Sequence, residues 1–154
     1  MTPDGYALKI FNNEKKCKKE YHILKSVEKS NFFPKVIKYS GRCILREYVG
    51  GMKIKKYIEK NGLSEKLSLN LINLIEEFKK LGFKRLDMRG EHIFVQEDES
   101  IKVIDPRKSF TKEVLIPHGI IKVVDKTGEL DKFVKILVIY RPDLAISWQN
   151  GINR

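Results

Sequence analysis

The amino-acid sequence predicts a mixed α+β fold that forms a single domain of two lobes. Three observations lead to this prediction. Residues 6–11 alternate with the period of a β-strand, two pairs of strand-like runs are joined by turn residues, and leucines after Ser64 repeat with the period of a helix. A chain of 154 residues suits one compact domain and is too short for two ordinary ones. The glycine pair at Gly50 marks the predicted boundary, with the first lobe over residues 1–50 and the second over residues 51–154.

Lys9 lies in the first predicted strand, at residues 6–11. Successive side chains of a strand point to opposite faces, so Lys9 shares its face with Ala7 and Phe11. The strand therefore places one ammonium group between a small side chain and an aromatic one.

Glu20 lies in the helix predicted to follow, for which Asn12 and Asn13 are both good caps. The apolar stripe of this helix contains Cys17, Tyr21 and Leu24. Glu20 falls on the same stripe. A carboxylate on an apolar face is costly to bury unless it is paired, so Glu20 either escapes at the margin or meets a cation such as Lys9.

Two hairpins account for most of the remaining predicted strands. The first pairs residues 35–39 with residues 43–49 across the turn at residues 40–42. The second pairs residues 93–95 with residues 101–104. Helices are predicted over residues 53–60, from the cap Ser64 to Leu81, and after the cap Thr127.

Asp87 precedes the second hairpin and Asp105 follows it. Antiparallel pairing places the start of one strand beside the end of its partner, so we expect these two carboxylates at the same end of the hairpin. Hard cations prefer oxygen ligands, and a lysine can clamp phosphate oxygens. With Lys9 and Glu20 facing them from the other lobe, the two aspartates predict a site for magnesium and a triphosphate.

These segments resemble those of protein kinases, in the same order along the chain. Ala7-Leu8-Lys9 is similar to the third strand, residues 19–24 to the C-helix, residues 45–51 to the hinge, residues 85–94 to the catalytic loop and residues 102–107 to the metal-binding turn. The whole most resembles small bacterial serine/threonine-kinase-like proteins, related to the minimal kinases of the aminoglycoside-phosphotransferase and lipopolysaccharide-kinase type. The resemblance implies a two-lobe kinase-like fold with a truncated N-lobe of antiparallel strands plus C-helix, and a reduced helical C-lobe.

The resemblance also implies roles for four side chains. Lys9 would bind the α- and β-phosphates of ATP, and Glu20 would orient it. Asp87 would accept the proton of the attacking hydroxyl, and Asp105 would ligate Mg²⁺, with Mn²⁺ as an alternative ion. The backbone carbonyl of Glu47 and the amide of Val49 would face adenine. The side chains implied to line the adenine pocket are Ala7, Phe94 and Ile104.

The glycine-rich hairpin that covers the phosphates in kinases takes roughly 14 residues, whereas five precede Tyr6. We therefore expect this loop to be absent from the chain. Two explanations stay open: the nucleotide is uncovered, or the start codon lies inside a longer gene.

Other positions also depart from the kinase pattern. His92 stands where kinases have asparagine, and neutral imidazole prefers softer ions than magnesium, so His92 is either a second metal ligand or a structural hydrogen-bonding residue. Arg85-Leu86 replaces the histidine-arginine pair before the catalytic aspartate. Pro106-Arg107 follows Asp105, and because proline fixes its own backbone angle we do not expect in/out switching of this turn.

Two functions remain open from the sequence. The first is an ATP-dependent phosphotransferase, a serine/threonine protein kinase or small-molecule kinase, which transfers the γ-phosphate to a hydroxyl of an unknown protein or small molecule. The second is a catalytically impaired pseudokinase that acts as a nucleotide-binding or scaffold module. The 49 residues after Asp105 are too few for the full helical platform that docks peptide substrates, so a large protein substrate would have to bind elsewhere.

Composition limits the partners and the location that we expect for this protein. The net charge of +11 attracts polyanions, but the lysines are scattered and most are expected on solvated helix faces, so nucleic acid is an unlikely main partner. No stretch reaches the roughly 18 to 20 apolar residues that a membrane span requires. Cys17 and Cys43 suit free thiols in a reducing compartment. With no secretory signal after Met1, the expected location is the cytoplasm.

Overall fold

The computed structural model describes residues 4–106 and 110–153. Within them, the chain combines helices with two three-stranded antiparallel sheets, so the predicted α+β class is confirmed. The described residues of Met1–Gly50 and Lys102–Arg107 form one compact unit, and those of Gly51–Ile101 and Lys108–Arg154 form a second. The N-terminal segment of the first unit ends at Gly50, the residue predicted as the boundary, whereas residues 102–106 were predicted in the second lobe and belong to the first unit. Arg107, expected in the metal-binding turn, lies outside the described residues, as do residues 1–3.

The sheet of the first unit contains β1 (Tyr6–Ile10), β2 (Val36–Ser40) and β3 (Cys43–Glu47), in the order β1-β3-β2. Lys9 lies opposite Ile44 in the antiparallel register between β1 and β3. Gly41 makes the turn between β2 and β3 with a φ of +51°, in the left-handed region that glycine adopts without steric cost. The predicted hairpin is confirmed, although β3 ends at Glu47, before the predicted residue 49.

Helix α1 (Glu14–Ser26) packs its apolar stripe against this sheet. The side chain of Asn13 accepts a hydrogen bond from the amide of Lys16 at 3.2 Å, so Asn13 is the cap. Cys17 is fully buried in a core with Phe11 and Ile44. Burial raises the pKa of the Cys17 thiol, and the nearby thiol of Cys43 raises it further.

The second sheet contains β4 (Met52–Lys53), β5 (Ile93–Val95) and β6 (Ile101–Val103), in the order β4-β5-β6. Strand β4 was not predicted, because two residues are too few to show alternation. Strand β6 ends at Val103, one residue before the predicted end. A 3₁₀ turn at Gly90–His92 leads into β5.

Helices α2 (Ile54–Asn61) and α3 (Glu65–Lys80) belong to the second unit, and both were predicted. The hydroxyl of Ser64 accepts a hydrogen bond from the amide of Leu67 at 2.9 Å and caps α3. The buried side chains of α3 are mainly aliphatic and include Leu67, Leu71, Leu74, Ile75 and Phe78. This helix therefore supplies much of the core of the second unit.

Within residues 110–153 the structure describes four helices: α4 (His118–Lys126), α5 (Leu130–Tyr140), α6 (Pro142–Ser147) and α7 (Gln149–Ile152). The predicted helix after Thr127 is present as α5, but the predicted cap is wrong. The hydroxyl of Thr127 donates to the carbonyls of Val123 and Val124, each at 3.0 Å, so Thr127 belongs to the end of α4. None of the helices in residues 4–106 and 110–153 has the length and apolar content to cross a membrane.

Candidate functional site

Lys9 and Glu20 form an ion pair within the first unit. The Lys9 Nζ lies 2.9 Å from each of the two carboxylate oxygens of Glu20. The Glu20 side chain is 1% exposed and that of Lys9 is 31% exposed, so the pair is buried at the carboxylate and open at the ammonium. Lys9 Nζ also lies 4.9 Å from the centroid of the Phe11 ring, as expected from the alternation of residues 6–11, although β1 itself ends at Ile10. Of the two alternatives for Glu20, the structure therefore has the one in which it meets Lys9.

Asp105 brings a second carboxylate to Lys9. Its Oδ1 lies 3.5 Å from Lys9 Nζ, and the Asp105 side chain is 13% exposed. Its φ of +61° is in the left-handed region, which costs a residue other than glycine of the order of 1–3 kcal/mol and is tolerated best by asparagine and aspartate. The amide of Val103 donates to the carbonyl of Phe32 at 2.7 Å, which ties the segment before Asp105 to the first unit.

Arg46 is a further charged residue near Glu20 and Asp105, and the sequence did not predict its place in the site. Burial lowers the pKa of the Arg46 guanidinium, while the negative charges of Glu20 and Asp105 oppose that shift. Arg46 lies opposite Ala7 in the register of β1 and β3, which puts it on the face of the sheet that carries Lys9. No local pattern marks it, because an arginine in a strand is usually a solvated residue.

The Arg46 guanidinium also contacts the segment expected to face adenine. Its Nη1 donates to the carbonyl of Glu47 at 3.0 Å. A carbonyl oxygen has two lone pairs, so this atom can accept one more hydrogen bond. Val49, Ala7 and Ile104 are half-buried in the first unit. Phe94 is half-buried in β5, in the second unit.

Asp87 is held by two hydrogen bonds within the second unit. Its Oδ2 accepts from Nη2 of Arg85 at 3.0 Å, and its Oδ1 accepts from the amide of Gly119 at 2.7 Å. Gly119 is the second residue of α4, so the carboxylate lies at the positive end of that helix. A Cβ atom on Gly119 would lie 1.9 Å from the carbonyl oxygen of Met88, so this close approach requires glycine.

His92 ends the 3₁₀ turn that precedes β5, with its side chain 24% exposed. Its Nε2 lies 3.9 Å from Oε1 of Glu91, at the outer limit of an ion pair. The structure shows no group of three or more histidine, cysteine, aspartate or glutamate side chains placed to hold a metal in residues 4–106 and 110–153. Both readings of His92 therefore stay open.

A pocket of about 690 Å³ lies beside Asp87 in the second unit. Its walls come from the start of α2, the loop and turn at residues 87–91, and the helix α4. Most of its charged side chains are basic, a feature that the scattered lysines of the sequence did not reveal. The lining residues are Lys53, Lys55, Lys56, Asp87, Arg89, Gly90, Glu91, His118, Gly119, Lys122, Val123 and Lys126.

Comparison with known proteins adds no family to this description. No family model matches the chain, and no curated protein matches it. The function is therefore inferred from the side chains that each unit brings together.

Proposed function

We propose that this protein is an ATP-dependent phosphotransferase with a kinase-like two-lobe fold, which transfers the γ-phosphate of ATP to a hydroxyl group. The observation that carries the proposal is the arrangement of Lys9 with two carboxylates in the first unit. Glu20 holds the ammonium from the buried side at 2.9 Å, and Asp105 lies 3.5 Å from it in a left-handed backbone conformation. Residues in strained conformations cluster at active sites, so the conformation of Asp105 supports the proposal together with its contact to Lys9.

Lys9 is suited to bind phosphate oxygens because its partner fixes it without covering it. The two equal distances to Glu20 hold the ammonium in one place, and the side chain stays 31% exposed. A lysine ammonium binds phosphate as a compact point charge. Phosphoryl transfer depends on such positioning and on electrostatic stabilisation, because the protein forms no covalent bond with the transferred group.

Asp105 fits a magnesium ligand. Mg²⁺ prefers oxygen ligands and is commonly held by one or two carboxylates together with substrate phosphates and water, so a cluster of three protein ligands is not required. When bound, the ion would neutralise charge on the phosphates. His92 is the weaker candidate, because imidazole suits softer ions.

Asp87 is suited to accept the proton of the attacking hydroxyl. Arg85 and Gly119 each occupy one lone-pair site on a different carboxylate oxygen, and an ionised carboxylate has about four such sites. The two contacts fix the orientation of the carboxylate and leave it able to accept a proton. Oriented general bases contribute roughly 10²–10⁴-fold to a rate.

The test is ATP turnover by the purified protein with magnesium or manganese and a panel of hydroxyl acceptors. Asp87→Asn should lower turnover by roughly 10²–10⁴-fold, and Lys9→Met should lower it as well. Because Asn can keep one of the two contacts of Asp87, the folding of each variant is checked by thermal denaturation. Lys15→Ser, on the exposed face of α1, is the matched control and should keep full turnover. Absence of turnover with every metal and acceptor would refute the proposal.

A second candidate is a nucleotide-binding or scaffold module without catalysis. The observation that favours it is that both oxygens of Asp87 already make structural contacts, one of them at the start of α4. Thermal denaturation with Mg-ATP distinguishes the candidates in part, because a nucleotide that binds the folded state raises the melting temperature. A raised melting temperature without turnover would favour nucleotide binding alone, and no shift with any nucleotide would favour a scaffold.

A further inference from the structure

The pocket beside Asp87 is strongly basic. Among the described residues that line it, six are lysine or arginine and two are carboxylates. Both carboxylates are already paired, since Asp87 contacts Arg85 at 3.0 Å and Glu91 contacts Arg89 at 3.3 Å. The lining cations that remain are Lys53, Lys55, Lys56, Lys122 and Lys126.

In the part of the chain that the structure describes, four of these five lysines have no carboxylate within 4 Å. Within residues 4–106 and 110–153, Lys55 alone among the five has a carboxylate within 4 Å, that of Glu59 at 3.4 Å. Lys53 and Lys56 flank the start of α2, whose first turn contains no acidic residue. The positive end of a helix dipole disfavours cations there, so a bound anion would relieve repulsion among them.

Two lysines of α4 complete the basic surface. Lys122 and Lys126 are one helical turn apart on the same side of α4, and both line the pocket. Gly90 allows the turn at residues 90–92 to approach this helix, because a Cβ there would lie 2.3 Å from Cγ2 of Val123. The pocket thus has basic side chains on two walls and Asp87 in its lining.

We propose that this pocket binds the hydroxyl acceptor, and that the acceptor is a small molecule carrying at least one phosphate group. The inference rests on the proposed phosphotransfer. A volume of about 690 Å³ lies within the range of roughly 300–1,000 Å³ found for small-molecule sites, which favours a compact ligand over an extended peptide. The lysines would bind the phosphate already present, and Asp87 would receive the hydroxyl that is to be phosphorylated.

The proposed step balances in atoms and charge. The acceptor oxygen forms a bond to the γ-phosphorus of ATP while the bond from that phosphorus to the β,γ-bridging oxygen breaks. ADP leaves with the electron pair, and the hydroxyl proton passes to Asp87 and then to solvent. The products are ADP, the acceptor with one more phosphate, and one proton.

The first experiment measures binding without activity. Pyridoxal 5′-phosphate forms an imine with a lysine that lies near an anion site, and borohydride reduction makes the label permanent for mapping by mass spectrometry. We expect the label on Lys122, Lys126, Lys53 or Lys56 at roughly ten times the level given by unphosphorylated pyridoxal. Glucose 6-phosphate in excess should protect these lysines. Labelling spread over all exposed lysines, without protection, would overturn the inference.

A matched pair of double variants separates the pocket from the general positive charge. Lys122→Ser/Lys126→Ser removes two exposed lysines one turn apart on α4, and Lys15→Ser/Lys19→Ser removes two at the same spacing on α1. The α4 pair should weaken glucose 6-phosphate binding roughly tenfold, measured by calorimetry, and the α1 pair should leave it unchanged. Equal effects of the two variants would show attraction by net charge alone and would contradict the pocket.

Activity then separates this inference from the proposed function. If phosphorylated sugars stimulate Mg-ATP turnover more than the same sugars without phosphate, both stand. Equal stimulation by phosphorylated and unphosphorylated sugars would refute the phosphate-carrying acceptor but leave the proposed phosphotransfer standing. Site-specific labelling without turnover would leave the anion pocket in place and refute phosphotransfer. Stronger competition by single-stranded DNA than by glucose 6-phosphate would instead show a nucleic-acid surface.

Discussion

Glu20 shows how one buried carboxylate organises the first unit. A charged group that is 1% exposed is tolerated because the Lys9 ammonium contacts both of its oxygens at 2.9 Å. Arg46 adds a second positive charge nearby. The same contacts keep Lys9 in position, so the residue that costs most to bury is also the one that orients the candidate phosphate ligand.

Glu20→Gln tests this pairing. The variant should lose about 2 kcal/mol of unfolding free energy, because Lys9 would keep a neutral partner in place of a charged one. Urea denaturation measures the change. Glu14→Gln, at an exposed position of the same helix, should cost less than about 0.5 kcal/mol. Equal losses of unfolding free energy in the two variants would show that the buried ion pair contributes no more to stability than an exposed glutamate does.

Gly119→Ala tests how Asp87 is held. The added Cβ would lie 1.9 Å from the Met88 carbonyl oxygen, so the backbone must move and the 2.7 Å bond from the Gly119 amide to Asp87 must lengthen. We expect a loss of about 2–4 kcal/mol in thermal or urea denaturation. Gly50→Ala is the control, because the nearest described atom to a Cβ there is in the Tyr48 ring, at an ordinary 3.7 Å. A Gly119→Ala protein as stable as that control would contradict the close approach.

At the scale of elements, the end residues of α3 stabilise this helix of the second unit locally. Its capping residue, its acidic first turn and its basic last turn all agree with the helix dipole. Ser64 has a further role, because its hydroxyl donates to Oε1 of Glu99 at 2.6 Å while it accepts from the amide of Leu67. Glu99, with a φ of +65°, lies in the turn between β5 and β6, so the cap joins the helix to that hairpin.

Ser64→Ala should therefore cost about 1–2 kcal/mol, the upper part of the range for a lost cap. Urea denaturation gives the value. Ser64→Asn keeps an oxygen that can accept from the amide of Leu67 and should recover most of the loss. If the Asn variant is as unstable as the Ala variant, the contact with Glu99, and not the cap, is what matters.

At the scale of the whole molecule, an ion-pair network couples stability to pH. Nη1 of Arg141 lies 2.9 Å from Oε2 of Glu76 on α3, and Nη2 lies 2.6 Å from Oδ2 of Asp143 on α6. Burial would raise the pKa of Glu76, but the hydrogen bonds and charges of Arg141 and Lys79 together lower it. The hydrogen bond from Arg141 also lowers the pKa of Asp143.

Both carboxyl groups thus have lower pKa values folded than unfolded. The stability they contribute is present above their ordinary pKa values of 4.5 and 3.8, and is lost as the pH falls through the lower folded values. We expect the melting temperature to fall between about pH 5 and about pH 3, and Arg141→Met to show a shallower fall. Differential scanning calorimetry measures both. Parallel curves for the two proteins would exclude the network as the source.

Local sequence determined both predicted hairpins and the helices α1, α2 and α3, whereas α4, α6 and α7 were not predicted. Asn13 and Ser64 cap helices as predicted, and Gly41 makes its turn, because caps, turns and periodicity depend on a few neighbouring residues. Thr127 shows the limit, since its hydroxyl bonds backward to α4 and not forward to α5. The alternation of residues 6–11 placed Lys9 with Phe11, and the stripe of α1 allowed Lys9 and Glu20 to meet.

Tertiary structure decided which of the open alternatives occurs. The alternation in β1 did not say which face is buried, and Leu8 and Ile10 prove to be the exposed ones. Three features of the site depend on residues that are far apart in sequence. They are the burial of Glu20, the charge of Arg46 near it, and the hydrogen bond from Gly119 to Asp87. The basic pocket likewise gathers lysines from α2 and α4, which are scattered along the chain and become neighbours only when the helices pack.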